Sequence, residues 1–296
     1  MNKTIGILGG MGPEATSYFF DLIIRNTNAA KDQEHIPVII YSNPMVPPRS
    51  DAIKKMAPDP SPFIVQGIKA LIRAGADFIV MPCITAHYFL PQVLTEVKIP
   101  MINLLEESAT WARENIPGIK KAGLISSSGT LNSGLFHTVF REIGTEILSP
   151  DSEDQKEVMD AIFGNRGIKA GVLAGSPRKT ILDTAFRLID MGAEAIIAGC
   201  TEIPLVLKQD DLPVPLIEPM KIASLSCIRA AGYPVRESKG SNPIPLKPSD
   251  NPGTDRVTDK DKIDETGKPC DRLTRLSRLA RLATLNTNHS GSTDQE

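Results

Sequence analysis

The chain says nearly the same thing twice. The segment Gly75-Ala76-Asp77-Phe78-Ile79-Val80-Met81-Pro82-Cys83 returns as Gly192-Ala193-Glu194-Ala195-Ile196-Ile197-Ala198-Gly199-Cys200. The same displacement carries Gly6 onto Gly123, Leu8 onto Ile125 and Gly12 onto Gly129. Such a chain has to fold as two similar units, and each unit ends its repeated strand on a cysteine. At 296 residues it is long enough for about two domains, each with a real core.

Short apolar runs alternate with amphipathic ones. Thr4–Leu8 reads as a strand ending in Gly9-Gly10-Met11-Gly12-Pro13, and Pro13-Glu14 suits the first turn of a helix. Val38–Tyr41 is a second strand, opening into the proline-rich loop Asn43-Pro44-Met45-Val46-Pro47-Pro48-Arg49-Ser50. A helix over Phe63–Ala74 precedes the strand Phe78–Met81, and Val97–Asn103 holds another short strand. The second copy runs from a strand at Ala122–Ser126 through helices near Gly134–Ile143, Gln155–Phe163 and Arg178–Met191 to a strand at Ala195–Ala198. Pro213–Ile217 repeats Ile99–Asn103, and a last helix covers about Met220–Ala231.

Strands alternating with helices predict an α/β fold: two doubly wound domains with mainly parallel sheets, related by internal duplication. The expected boundaries are 1–115 for the first domain and 116–232 for the second, with about 216–232 packing back onto the first. Ligands in such sheets lie beyond the carboxyl ends of the strands, which is where both cysteines fall, so the expected site is the interdomain cleft. Residues 233–296 are polar and poor in large apolar side chains, which predicts a disordered tail. Within it, the Arg-Leu repeat of Arg272–Leu282 predicts a short basic amphipathic helix at about 271–285.

A net charge of −2 offers no electrostatic reason to expect nucleic acid or an anionic membrane. No apolar stretch approaches the ~20 residues of a membrane span. The run after Met1 is too short for a secretory signal. The four cysteines, Cys83, Cys200, Cys227 and Cys270, form no CxxC or zinc-type spacing, so free thiols in the cytoplasm are expected, and no metal.

Both repeated cysteines precede an expected helix start, in Cys83-Ile84-Thr85-Ala86-His87 and Cys200-Thr201-Glu202-Ile203-Pro204. The unpaired N–H groups there lower a thiol pKa and cradle a carboxylate. One buried cysteine is commonly just a small core residue. Two at equivalent places in a repeat form a pattern, because one thiol can take a proton from a carbon while the other returns one to its opposite face.

Gly9-Gly10-Met11-Gly12-Pro13-Glu14-Ala15-Thr16, Pro82-Cys83-Ile84-Thr85-Ala86-His87 and Gly199-Cys200-Thr201-Glu202-Ile203 resemble, in this order, the signatures of the aspartate/glutamate racemase family. The resemblance covers about residues 4–232. It implies racemisation of an acidic amino acid, aspartate or glutamate, by a cofactor-independent, two-base mechanism in a homodimer. Cys83 and Cys200 match the family's catalytic pair. Met11, Gly12, Arg49, Ile84, Thr85, Ala86, Thr130, Lys169 and Thr201 fall where the family binds substrate, and Glu202 is positioned to support Cys200. Arg49 and Lys169 together would suit a dicarboxylic substrate. The chain departs from the family in having Ile84 where asparagine is usual, which removes a side-chain donor, and in having Glu218 in place of an aspartate.

Two other readings stand beside this one. The scaffold could serve as a catalytically weakened ligand-binding or regulatory protein, given Ile84. Alternatively, Gly10-Met11-Gly12-Pro13-Glu14-Ala15, with Asp32 and Glu34 downstream, satisfies a dinucleotide-binding pattern. The latter explains neither the duplication nor the cysteines. A Cys83/His87 hydrolase dyad leaves the second thiol without a role.

Overall fold

A computed structural model of the chain describes residues 2–237. Eight strands occur among them: β1 (Ile5–Gly9), β2 (Val38–Ser42), β3 (Phe78–Val80), β4 (Met101–Ile102), β5 (Lys121–Ile125), β6 (Glu146–Leu148), β7 (Ala195–Ala198) and β8 (Leu216–Ile217). They form two four-stranded, wholly parallel sheets, ordered β2-β1-β3-β4 and β6-β5-β7-β8. The order in the second sheet reproduces that in the first, and helices follow the strands as crossovers. Every residue of β1 is buried, as befits a parallel strand covered on both faces.

The repeated residues do the same physical work in each sheet. A Cβ on Gly6 would lie 2.6 Å from Ile79 Cδ1, and one on Gly123 would lie 2.8 Å from Ile196 Cδ1. Each glycine thus makes room for the isoleucine of the adjoining strand. Gly75 and Gly192 both have φ of +97°, the left-handed region, where they turn the chain from a helix into β3 and β7. The neighbouring acids are also equivalent. Asp77 accepts the backbone N–H of Thr4 at 2.7 Å, and Glu194 accepts that of Lys120 at 2.6 Å and of Lys121 at 3.3 Å, tying the entries of β1 and β5 to β3 and β7.

Some boundaries differ from those expected. The helix anticipated near Gly134–Ile143 is present as Leu135–Arg141, and a short helix that was not anticipated, Ser128–Asn132, precedes it, with Gly134 at a left-handed φ of +67° between the two. The strand anticipated at Val97–Asn103 shortens to Met101–Ile102, since Pro100 has no N–H for a ladder and contributes only its carbonyl, to Ile79 N.

One apolar cluster belongs to the first half, with Ile64, Ile68 and Val93, and another to the second, with Val158, Ile181 and Val206. A third includes Ile5 and Phe19 from the first half, Leu124, Phe136 and Phe140 from the second, and Cys227 and Ile228 from the final helix Pro219–Ala231. That helix packs on Pro13–Asn26 and Leu104–Asn115. The chain then returns to its beginning: Val235 bridges Thr27 in antiparallel fashion, and Arg236 N–H donates to Asn26 O at 2.7 Å. The remainder of the expected tail, the helix at 271–285 and Cys270 lie outside the described residues. Among the described residues no helix is long and apolar enough to cross a membrane.

Candidate functional site

The turn after β1 is built by Thr16. Its Oγ1 accepts the Gly10 N–H at 2.9 Å and donates to Gly12 O at 2.8 Å, closing Gly9-Gly10-Met11-Gly12 over the start of the helix Pro13–Asn26. Gly10 has φ of +92°, and its Cα lies so close to Asn43 that a Cβ would be 2.4 Å from that residue's backbone. The turn and the proline-rich loop after β2 are thereby held side by side.

Cys83 follows β3, with its N–H donating to Met81 O at 2.7 Å. Its carbonyl is held by His87 Nδ1 at 2.9 Å, and the Leu104 N–H donates to His87 Nε2 at 3.4 Å. That pair of contacts assigns the ring its proton on Nδ1 and leaves Nε2 bare. Burial pushes the His87 pKa down to about 4, against the pull of the Cys83 carbonyl, so the ring is neutral at ordinary pH. Cys200 follows β7, with the Gly199 N–H shared between Ile125 O and Ile197 O. Its thiol donates to Glu202 Oε2 at 2.9 Å. Burial, and then the Glu202 charge, push the Cys200 thiol well up, although Lys169 works the other way.

At Cys200 this differs from the expectation of a thiol acidified by a helix N-terminus. After Cys83 comes only a 3₁₀ segment, Thr85–Phe89, and after Cys200 a one-turn helix, Ile203–Val206. Such short elements carry little dipole. At Cys200, burial and an adjacent carboxylate therefore decide the protonation state.

Both thiols line one cavity of about 570 Å³, walled by residues of both halves. Lys169 sits against it in an ion pair with Glu202 Oε1. Burial opposes the Lys169 charge, but Glu202, and then Cys200 and Cys83, outweigh it and hold its pKa above the ordinary value. The pair presses on the β1 turn: a Cβ on Gly12 would lie 3.2 Å from Lys169 Nζ and 3.4 Å from Glu202 Oε1. Arg49 opens the short helix Arg49–Ile53 and is pinned by carbonyls. Nη1 donates to Val46 O at 2.9 Å and Pro47 O at 3.0 Å, and Nη2 to Met11 O at 3.1 Å. Its Nε is buried without a partner. Five donors less three leave Nε–H and one Nη2–H without a partner, and Nε is shut off from solvent.

Of the other residues singled out in the sequence, Met11, Gly12, Ile84, Thr85 and Thr201 line the cavity, whereas Ala86 and Thr130 do not. Thr130 supports instead: its Oγ1 lies 2.8 Å from Thr85 Oγ1, and Ser127 Oγ lies 3.3 Å from both, forming a buried hydroxyl triangle that joins the halves. Asp32 and Glu34 sit in an exposed 3₁₀ turn away from the cavity. Ser127, Asp51, Val46, Met159 and Phe163 line it without having been anticipated. Only the proline-rich loop carried a signal, for Val46. Met159 and Phe163 read as ordinary apolar positions of a surface helix. Cys83, Cys200 and Cys227 are free thiols. Among the described residues no group of three or more His, Cys, Asp or Glu could hold a metal ion.

Two α/β sheets of identical order, each delivering a thiol from its third strand to a shared cavity with a lysine beside it, define a duplicated protein built around paired cysteines. The chain belongs to the Asp/Glu/hydantoin racemase family, whose model matches residues 8–226. It is 28% identical over 226 residues to the broad specificity amino-acid racemase RacX of Bacillus subtilis, covering 72% of this chain and 92% of that one. Among solved structures it resembles Picrophilus torridus aspartate racemase, with a TM-score of 0.70 and 28% identity over 79% of this chain and 96% of that one. It also resembles an aspartate racemase homologue from Pyrococcus horikoshii OT3, with a TM-score of 0.63 and 27% identity over 78% and 99% of the two chains.

Proposed function

We propose that the protein racemises an α-amino acid, with Cys83 and Cys200 as the two bases and no pyridoxal group. The observation that carries this reading is that both thiols, at matching places of a duplicated fold, line one cavity. Cys200 is held as a thiol that donates to Glu202. In that state Cys83, as thiolate, removes the α-proton: the Cα–H bond breaks and an S–H bond forms. Cys200 then gives its proton to the opposite face of the planar carbanion. The new Cys200 thiolate lies within the field of Lys169, and the roles are reversed for the return reaction.

The carbanion needs electrostatic help, because no ring absorbs its charge. Arg49, on the cavity wall with one Nη2–H unused, suits the α-carboxylate, where that charge spreads. The expectation of aspartate or glutamate as substrate asks for two available cations, and Lys169 is already paired with Glu202. The shared α-carboxylate is therefore the group that this site supports most directly. A homodimer completes the reading, and sedimentation equilibrium tests it.

The test is α-proton exchange in deuterated water, followed by mass spectrometry on L- and D-amino acids. Wild type exchanges and inverts. Cys83→Ala and Cys200→Ala each lose inversion by about 10²–10⁴-fold. Each keeps uptake of deuterium only into the enantiomer that its remaining thiol faces. Full inversion in either variant overturns the two-thiol reading. An amino acid that binds wild type without exchanging would make the protein a ligand-binding member of its family.

A further inference from the structure

We infer that the substrate of this site carries an uncharged, apolar side chain, an inference that rests on the two-thiol reading above. The charges lining the cavity are Arg49, Lys169, Asp51 and Glu202, two of each sign. A zwitterionic amino acid enters such a site without upsetting its balance. A dicarboxylate brings one negative charge too many, beside thiols that must themselves become anionic during the reaction.

The cations are also not equally available. Lys169 is bound to Glu202, and Glu202 is in turn held by the Cys200 thiol at 2.9 Å and the Thr201 hydroxyl at 3.3 Å. Drawing Lys169 to a second carboxylate would strip that buried acid, 3% exposed, of its counter-ion. Arg49 has two donors left after its three carbonyl bonds, and one of them, Nε, is buried, so it can serve no more than one carboxylate.

Much of the remaining wall is apolar, alongside the hydroxyls of Ser50, Thr85, Ser127 and Thr201. Met11, Val46 and Ile84 are buried apolar side chains that line the cavity, and Met159 and Phe163 line it from the second half. Ile84 follows Cys83 directly in the chain. It has no donor for a side-chain carboxylate, and an oxygen placed against it would lose its water without compensation. The cavity of about 570 Å³ also leaves space for a side chain longer than that of aspartate. A methionine- or leucine-like group fills such a space and gains from leaving water.

The experiment compares kcat/KM for inversion of leucine, methionine and 2-aminobutyrate with that for aspartate and glutamate, in wild type, Ile84→Asn and Asp51→Asn. In wild type the best neutral substrate should exceed both acids by at least ~10-fold. Ile84→Asn adds a donor and should move the acid-to-neutral ratio upward by about 10-fold. Asp51→Asn removes one negative charge from the half-buried first turn of the helix Arg49–Ile53 and should move the same ratio in the same direction. A wild type that prefers aspartate or glutamate overturns the inference while leaving the thiol pair intact. Absence of exchange with every amino acid overturns both, and inversion that survives loss of a cysteine overturns only the mechanism.

Discussion

At the scale of single residues, the most consequential buried group outside the cavity wall is His87. It links the carbonyl of Cys83 to the first turn of the helix Leu104–Asn115, and it does so only when neutral. Its pKa falls from 6.5 in the unfolded chain to about 4 in the folded one. Between those values the unfolded state binds more protons, so folding stability is full above about pH 6.5 and declines as pH falls toward 4. Removing this group as His87→Gln should flatten that limb of the pH profile by an amount on the order of 3 kcal/mol. Urea midpoints at pH 4, 5 and 7 for both proteins check it, and equal slopes would show that His87 does not titrate in this way. The repeat and the two thiols were legible in the sequence because they occupy equivalent positions twice. His87 was visible only as a neighbour of Cys83. Its actual partner, the Leu104 N–H, lies on a distant segment that no local pattern connects to it.

At the scale of elements, the halves meet where backbones come unusually close. A Cβ on Gly129 would stand 2.3 Å from Ser50 Oγ and 2.8 Å from Ser50 Cα, so the helices Arg49–Ile53 and Ser128–Asn132 touch because position 129 has no side chain. Gly129→Ala should force these helices apart, cost about 1–3 kcal/mol in urea unfolding, and lower kcat/KM through Arg49. Unchanged stability and kinetics would mean that the contact yields freely. Gly129 was noticed in the sequence as the counterpart of Gly12, but the reason for it was not readable. In the first half the glycine faces an ion pair, and in the second it faces another helix. Duplication preserved the residue while the partner diverged. The strands were read well because burial on both faces leaves a continuous apolar run. The turns after the cysteines were read less well, since one-turn helices have too few residues to show a period.

At the scale of the whole molecule, the final helix Pro219–Ala231 fills the core shared by both halves, with Ala223, Cys227 and Ile228 fully buried in it. A chain ending at Glu218 should therefore fail to fold. Differential scanning calorimetry checks this, and a cooperative melt of the chain ending at Glu218 would show that the rest folds without the helix. The amphipathic pattern announced this helix, but its placement depends on surfaces supplied by residues far apart in the chain.

The Lys3 N–H donates to Ala231 O at 3.0 Å, so the two ends of the folded body adjoin. The path of the polypeptide is in effect a ring that happens to be cut there. A circular permutant, cut instead at the exposed Pro117-Gly118 link and rejoined through a short peptide between the old ends, would present the halves in reversed order with every sheet intact. Which of the two came first in the gene is, to the folded protein, a matter of where the ring was opened.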